Sequence, residues 1–115
     1  MKNGSAAKDI LSILMDKSST QIMKLLDRQE LSARVVSSTL NLPLSSTYKK
    51  IKKLEQLNLI RITKVMRTLD GMDESFYTLS VKEITITYKN HIFSSDIQQM
   101  EFDDKIMRLW QKFKN

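Results

Sequence analysis

Leu31 to Ile60 reads LSARVVSSTLNLPLSSTYKKIKKLEQLNLI, and its punctuation predicts two helices joined by a tight turn. Ser32 is suited to cap the first, because its hydroxyl can accept an opening-turn amide hydrogen that has no carbonyl partner. Leu31 before it and Val36 within the helix can pack as a hydrophobic staple. The helix is expected to run to Leu40. Asn41 tolerates the left-handed backbone that ends a helix, and Pro43 lacks the amide hydrogen needed to continue one. A second helix is expected from Ser45 to Leu57. At about 100° per residue, Ile51 and Leu54 fall close to Thr47 on a narrow inward stripe, while Ser45, Lys49 and Lys52 take the opposite side. Ser46, Tyr48 and Lys53 flank that side. One oily seam is therefore offered to a core and a wide basic face is left outward, with Asn58 closing the helix.

Charge is concentrated in the same region. Met1 to Leu44 holds six Lys/Arg and four Asp/Glu, Ser45 to Leu69 seven and one, and Asp70 to Asn115 six and eight. The segment nets are +2, +6 and −2, so the middle segment equals the +6 of the whole chain. With a sequence pI near 9.6, polyanions are natural partners, because each neutralised phosphate releases condensed counterions. An acidic membrane surface would satisfy the same charge, but the Ile51 and Leu54 seam is too narrow for a helix lying on lipid.

Upstream, Ala6 to Met15 reads as a helix with Ile10, Ile13 and Leu14 at core spacing. Asp16 to Ser19 interrupts it, and SSTQIMKLLD restarts a helix with a Ser or Thr cap and Ile22, Leu25 and Leu26 buried. Downstream, Leu59 to Leu69 turns extended, Asp70 and Gly71 supply the positive backbone angles of a hairpin tip, and Glu74 to Val81 returns. Glu83 to Lys89 alternates strictly, Ile84, Ile86 and Tyr88 against Thr85 and Thr87, as a half-buried strand does. After Ser94 the pattern becomes helical, with Asp96, Asp103 and Asp104 near helix starts and Phe102, Ile106, Leu109, Trp110 and Phe113 forming a stripe. The expected organisation is a domain over residues 6–89 and a C-terminal helix over 94–115.

Several classes of chemistry find no support. The chain of 115 residues has no cysteine and one histidine, so neither a disulfide framework nor a cysteine-rich zinc site is available. His91 stands in a turn-like stretch without a visible partner. Asp103 and Asp104 are better placed to stabilise the positive end of a helix than to act as paired catalytic carboxylates. No glycine-rich phosphate loop, nucleophile elbow or zinc-protease helix occurs. No apolar run approaches the roughly 20 residues of a membrane span, and MKNGSAAKD lacks a signal-peptide core. A non-enzymatic, intracellular (cytoplasmic) protein with no cofactor and no membrane partner is expected.

Ile13 to Val81 resembles the winged helix-turn-helix of ArsR-type and MarR-type transcription regulators and of small archaeal winged-helix regulators. The matching stretches are ILMDKSSTQIMKLL, the Leu31 to Ile60 run, and SFYTLSV. Asn41 and Asn58 stand where relatives often have glycine, and Pro43 where they often have a capping Ser or Thr. The resemblance implies an α+β fold, mainly α, carrying an extra strand and a C-terminal helix. It also implies double-stranded DNA as partner, with the Ser45 to Leu57 helix in the major groove. Ser45, Ser46, Tyr48 and Lys49 become candidate base or positioning contacts, and Lys52 and Lys53 candidate phosphate contacts. Lys64 and Arg67 lie on the wing, whose tip also carries Asp70, Asp73 and Glu74; these repel phosphates, so insertion and bending away both stand open. The Phe102, Ile106, Leu109, Trp110 and Phe113 stripe can serve as intramolecular core or as an oligomer seam; the resemblance favours a homodimer seam, and metal sensing is not carried over. The rival reading is a winged-helix protein-interaction module of transcription or chromatin machinery with weak or no DNA binding. Operator, effector and direction of regulation are not legible.

Overall fold

Capping chemistry decides where the helices of this chain begin and end. The computed structural model describes residues 4–101. Its elements run α1 (Gly4–Met15), α2 (Lys17–Leu26), β1 (Leu31–Ser32), α3 (Ala33–Leu40), α4 (Leu44–Gln56), β2 (Ile60–Arg67), β3 (Asp73–Leu79), β4 (Val81–Lys89) and β5 (Ile92–Gln99). The Ser32 hydroxyl accepts from the Val35 amide at 3.3 Å and so caps α3. Asn41 ends that helix at φ 54°, and the Leu42 amide closes the turn on the Ser37 carbonyl at 2.9 Å. Pro43 offers no capping side chain to α4. Its carbonyl instead accepts from the Thr47 amide at 3.0 Å and the Thr47 hydroxyl at 2.9 Å. A fully buried threonine is thereby satisfied. Asn58 closes α4 at φ 61°.

The break between α1 and α2 is shorter than the sequence suggests. Asp16, rather than a Ser or Thr, caps α2: its carboxylate accepts from the Ser19 amide at 3.1 Å and the Ser19 hydroxyl at 2.6 Å. A charged acceptor at a helix N-terminus is favoured over a neutral hydroxyl, because the opening amides carry partial positive charge.

β2 and β3 form an antiparallel hairpin, and β1 adds to the free edge of β3 to give the order β1-β3-β2. At the hairpin tip the Thr68 amide donates to the Met72 carbonyl at 2.7 Å, and Gly71 takes φ 84°. The core is a single cluster in which Ile22 and Leu26 of α2, Val36 of α3 and Ile51 and Leu54 of α4 meet Leu59, Ile60 and Leu79.

The strand expected over Glu83 to Lys89 starts at Val81 and forms a separate two-stranded sheet with β5. Asn90 and His91 both have positive φ, 54° and 65°, the requirement of a two-residue hairpin turn. His91 thus has a conformational role. The helix expected from residue 94 does not begin there: residues 94–99 belong to β5, with Asp96 opposite Thr85 rather than opening a helix. Ser94, Ser95 and Asp96 are poor helix formers, whereas Ile97 gains Ile84 as a cross-strand neighbour and Phe93 gains Tyr88, ring centroids 4.9 Å apart. The rest of that expectation, including Phe102, Ile106, Leu109, Trp110 and Phe113, lies outside the described residues. Strand accordingly takes a larger share of this α+β fold than the sequence indicated.

The second hairpin is tied to the end of α4. The Asn58 carbonyl accepts from Gln99 Nε2 at 2.8 Å and the Ser80 hydroxyl at 3.3 Å, and the Leu59 carbonyl from the Ser80 and Val81 amides at 3.0 and 3.3 Å. No helix among the described residues is long and apolar enough to cross a membrane. Because Asn58 occupies left-handed backbone, Asn58→Gly is expected to keep stability close to wild type, while Asn58→Val loses about 1–2 kcal/mol. Urea unfolding midpoints measure both.

Candidate nucleic-acid interface

Four lysines on α4 divide into two pairs with different roles. Thr47, Ile51 and Leu54 are 0, 1 and 0% exposed and fix the helix to the core. On one flank Lys50 Nζ lies 2.7 Å from the Asp16 carboxylate and Lys53 Nζ 3.2 Å from that of Asp9. Lys53, expected at phosphate, therefore braces α4 against α1. Each pair is partly exposed and is worth at most about 1 kcal/mol by itself. On the outward side Ser45, Lys49 and Lys52 are exposed, and neither lysine has an ion-pair partner among the described residues.

Asp16 is the hub of this brace. Hydrogen bonds from Lys50, then from the Ser19 hydroxyl and amide, hold its carboxyl down to about 2. Sequence reasoning missed Asp9 and Asp16 because their partners lie 44 and 34 residues away. The only local signal was an acidic residue three positions before Ser19 in MDKSS.

The remaining candidates divide by geometry. The Ser46 hydroxyl donates to the Pro43 carbonyl at 3.1 Å, which leaves its lone pairs as acceptors. Tyr48 is 47% exposed on the flank towards the wing. There the Tyr77 phenol is pushed up chiefly by burial and then by the Glu55 carboxylate, with Tyr48 adding to the effect. Lys64 and Arg67 do not share a face. A bulge between Ile62 and Lys64 shifts the pairing, so Arg67 lies opposite Asp73, on the side of Tyr77, and Lys64 lies opposite Phe76. Lys64 Nζ sits 4.9 Å from the Phe76 ring centre, and Arg67 Nε is 3.7 Å from Asp73. The Thr68 hydroxyl engages Asp70, holding its carboxyl below the usual range.

A groove of about 600 Å³ lies between α1 and β5, lined by Lys8, Leu11, Ser12, Met15, Asp16 and Phe93. Among the described residues no group of three or more His, Cys, Asp or Glu is arranged to hold a metal ion.

No protein-family model matches the chain, and a comparison with curated proteins finds no relative. Solved structures do match in shape. Reduced HlyU from Vibrio cholerae N16961 superposes with a TM-score of 0.54 at 20% identity, covering 96% of this chain and 88% of that one. NolR from Sinorhizobium fredii gives 0.52 at 20% identity over 66% of this chain and 70% of its own. A protein described as a possible transcriptional regulator from Methanosarcina mazei Go1 gives 0.53 at 14% identity over 93% and 78%. The fold is a winged helix. In this winged helix α3 and α4 form the helix-turn-helix and β2 and β3 the wing, as the resemblance of the sequence implied.

A carboxyl held at about 2 against its usual 3.8 stabilises the folded state above about pH 4, and that contribution is lost as pH falls through the folded value. Asp16→Asn is therefore expected to lower the melting temperature at pH 7 and to flatten its decline between about pH 4 and 2. Thermal denaturation across that range measures both effects.

Proposed function

We propose that this winged helix is a sequence-specific DNA-binding transcription regulator whose α4 enters the major groove. The observation that carries the reading is the outward face of α4. Lys49 and Lys52 stand exposed beside Ser45, without an ion-pair partner among the described residues, on a helix fixed by a buried seam and braced from behind by Asp9 and Asp16. Lys49 and Ser45, near the helix start, are positioned for base edges, with Ser46 accepting and Tyr48 on the wing flank. Lys52 is positioned for phosphate. Lys53 contributes less than its charge suggests because Asp9 already holds it. Arg67 is the wing residue on the side of α4, and Lys64 points its charge to the other side. The protein acts in the cytoplasm, without cofactor or catalysis, by occupying a promoter or recruiting polymerase.

The same proposal includes a homodimer with Phe102, Ile106, Leu109, Trp110 and Phe113 as its seam. Two copies would present two α4 helices to half-sites about 10 base pairs, or a multiple, apart. The α1–β5 groove, with Met15 79% exposed in its lining and Tyr88 61% exposed against its Phe93, favours a contact with a second copy or another protein. It is also the observation that supports the second reading, a protein-interaction module with weak DNA binding. Selection of bound duplexes from a random pool, with the mass in solution, separates the two. A recovered consensus supports the regulator; sequence-independent binding with a stable heteromeric partner supports the module.

Log affinity is expected to fall with log salt by about 0.9 per phosphate contact. Lys52→Ala should flatten that slope by about one unit, and Lys53→Ala by clearly less. Titration of a selected duplex between low and moderate salt measures the difference; equal effects would place Lys53 at phosphate after all.

A further inference from the structure

Between α4 and the wing the surface is apolar where the neighbouring face is cationic. Tyr48, Ile62 and Val65 are 47, 41 and 56% exposed. In an unbroken strand, residues three apart point to opposite faces. The bulge at Thr63 resets that alternation: Ile62 stands opposite Tyr77 and Val65 opposite Ser75, and Tyr77 and Ser75, two apart on β3, share one face. The Thr63 hydroxyl holds the irregularity by donating to the Phe76 carbonyl at 3.4 Å. The shared face is the one turned to α4, because Tyr77 packs against the core cluster that includes Ile51 and Leu54 of α4. The same shift carries Lys64 to the far face over Phe76. The extra residue in β2 thus sets Val65, with Arg67 beyond it, on the face of Ile62 beside α4 and takes Lys64 away.

Aliphatic groups left in water next to a cationic face gain stability when a partner covers them. The partner proposed for Lys49 and Lys52 carries phosphates, and the edge of a duplex that accepts apolar contact is the C5-methyl group of thymine in the major groove. We infer that Tyr48 and Ile62, extended by Val65, form an apolar reader of thymine methyl groups, so that specificity rests on thymines flanking the bases under the start of α4. This rests on the DNA-binding reading above. It adds the chemical class of base recognised and brings in Ile62 and Val65, which that reading does not use.

The test uses the duplex recovered by selection and the same duplex with uracil in place of thymine, which removes the methyl group and leaves every hydrogen-bonding edge intact. The full-length protein is expected to bind the thymine duplex about fourfold more tightly per contacted methyl, the value of burying one such group. In Ile62→Thr and Val65→Thr the thymine-to-uracil ratio falls towards one while affinity for the uracil duplex stays near wild type, which also shows that the variants fold. An unmodified protein that does not distinguish the two duplexes overturns the inference. So do variants that keep the wild-type ratio, including variants that weaken both duplexes equally. Failure to recover any preferred duplex overturns the DNA-binding reading itself, and is distinguishable from these outcomes.

Discussion

A three-residue seam governs this molecule. Thr47, Ile51 and Leu54 are buried to within 1%, and they are the inward-facing part of a helix that otherwise carries four lysines. Burying two aliphatic side chains stabilises the docked helix by roughly 3–6 kcal/mol, while burying the threonine costs little because the Pro43 carbonyl accepts its hydroxyl at 2.9 Å. A wider stripe would have hidden the cationic side, and a narrower one would have left the helix loose. By engaging Lys53 and Lys50, Asp9 and Asp16 neutralise the flank nearest α1 and leave Lys49 and Lys52 as the outward charges. The division of labour among chemically identical side chains follows from where two carboxylates stand, Asp9 in α1 and Asp16 at the start of α2.

Features that depend on near neighbours could be read from the sequence. The Ser32 cap, the left-handed Asn41 and Asn58, the position of Pro43 and the seam of α4 are all local or periodic, and each stands where its chemistry places it. Long-range features could not. The Lys50–Asp16 and Lys53–Asp9 pairs join residues far apart in sequence, and charge counting alone treats all four lysines alike. β5 was hidden because FSSDI has no run of β-branched residues and its partner strand lies across a turn made by Asn90 and His91. The bulge at Thr63 contains no glycine, the usual sequence marker of such a break. Its consequence, that Val65 rather than Lys64 shares a face with Ile62, therefore emerges only from the register of the two strands.

The electrostatic design is uneven in a way net charge does not convey. The wing contributes little free cation towards α4: Arg67 faces Asp73, and Lys64 lies over an aromatic ring on the other side. Positive potential is concentrated on α4, with apolar surface beside it. A steering field produced by a few charges on one rigid element falls off over about one Debye length, roughly 8 Å at physiological salt. Orientation near a polyanion is then set by the helix rather than by the loop beyond it.

The carbonyls of Asn58 and Leu59 have a mechanical consequence. Each accepts two donors, all of them from Ser80, Val81 or Gln99, so the turn that follows α4 and the root of the second hairpin are joined by hydrogen bonds. Peeling that hairpin away strands acceptors at the helix terminus, and fraying the terminus strands donors in the hairpin. Opening either region costs hydrogen bonds held by the other, which couples a structurally separate sheet to the helix-turn-helix.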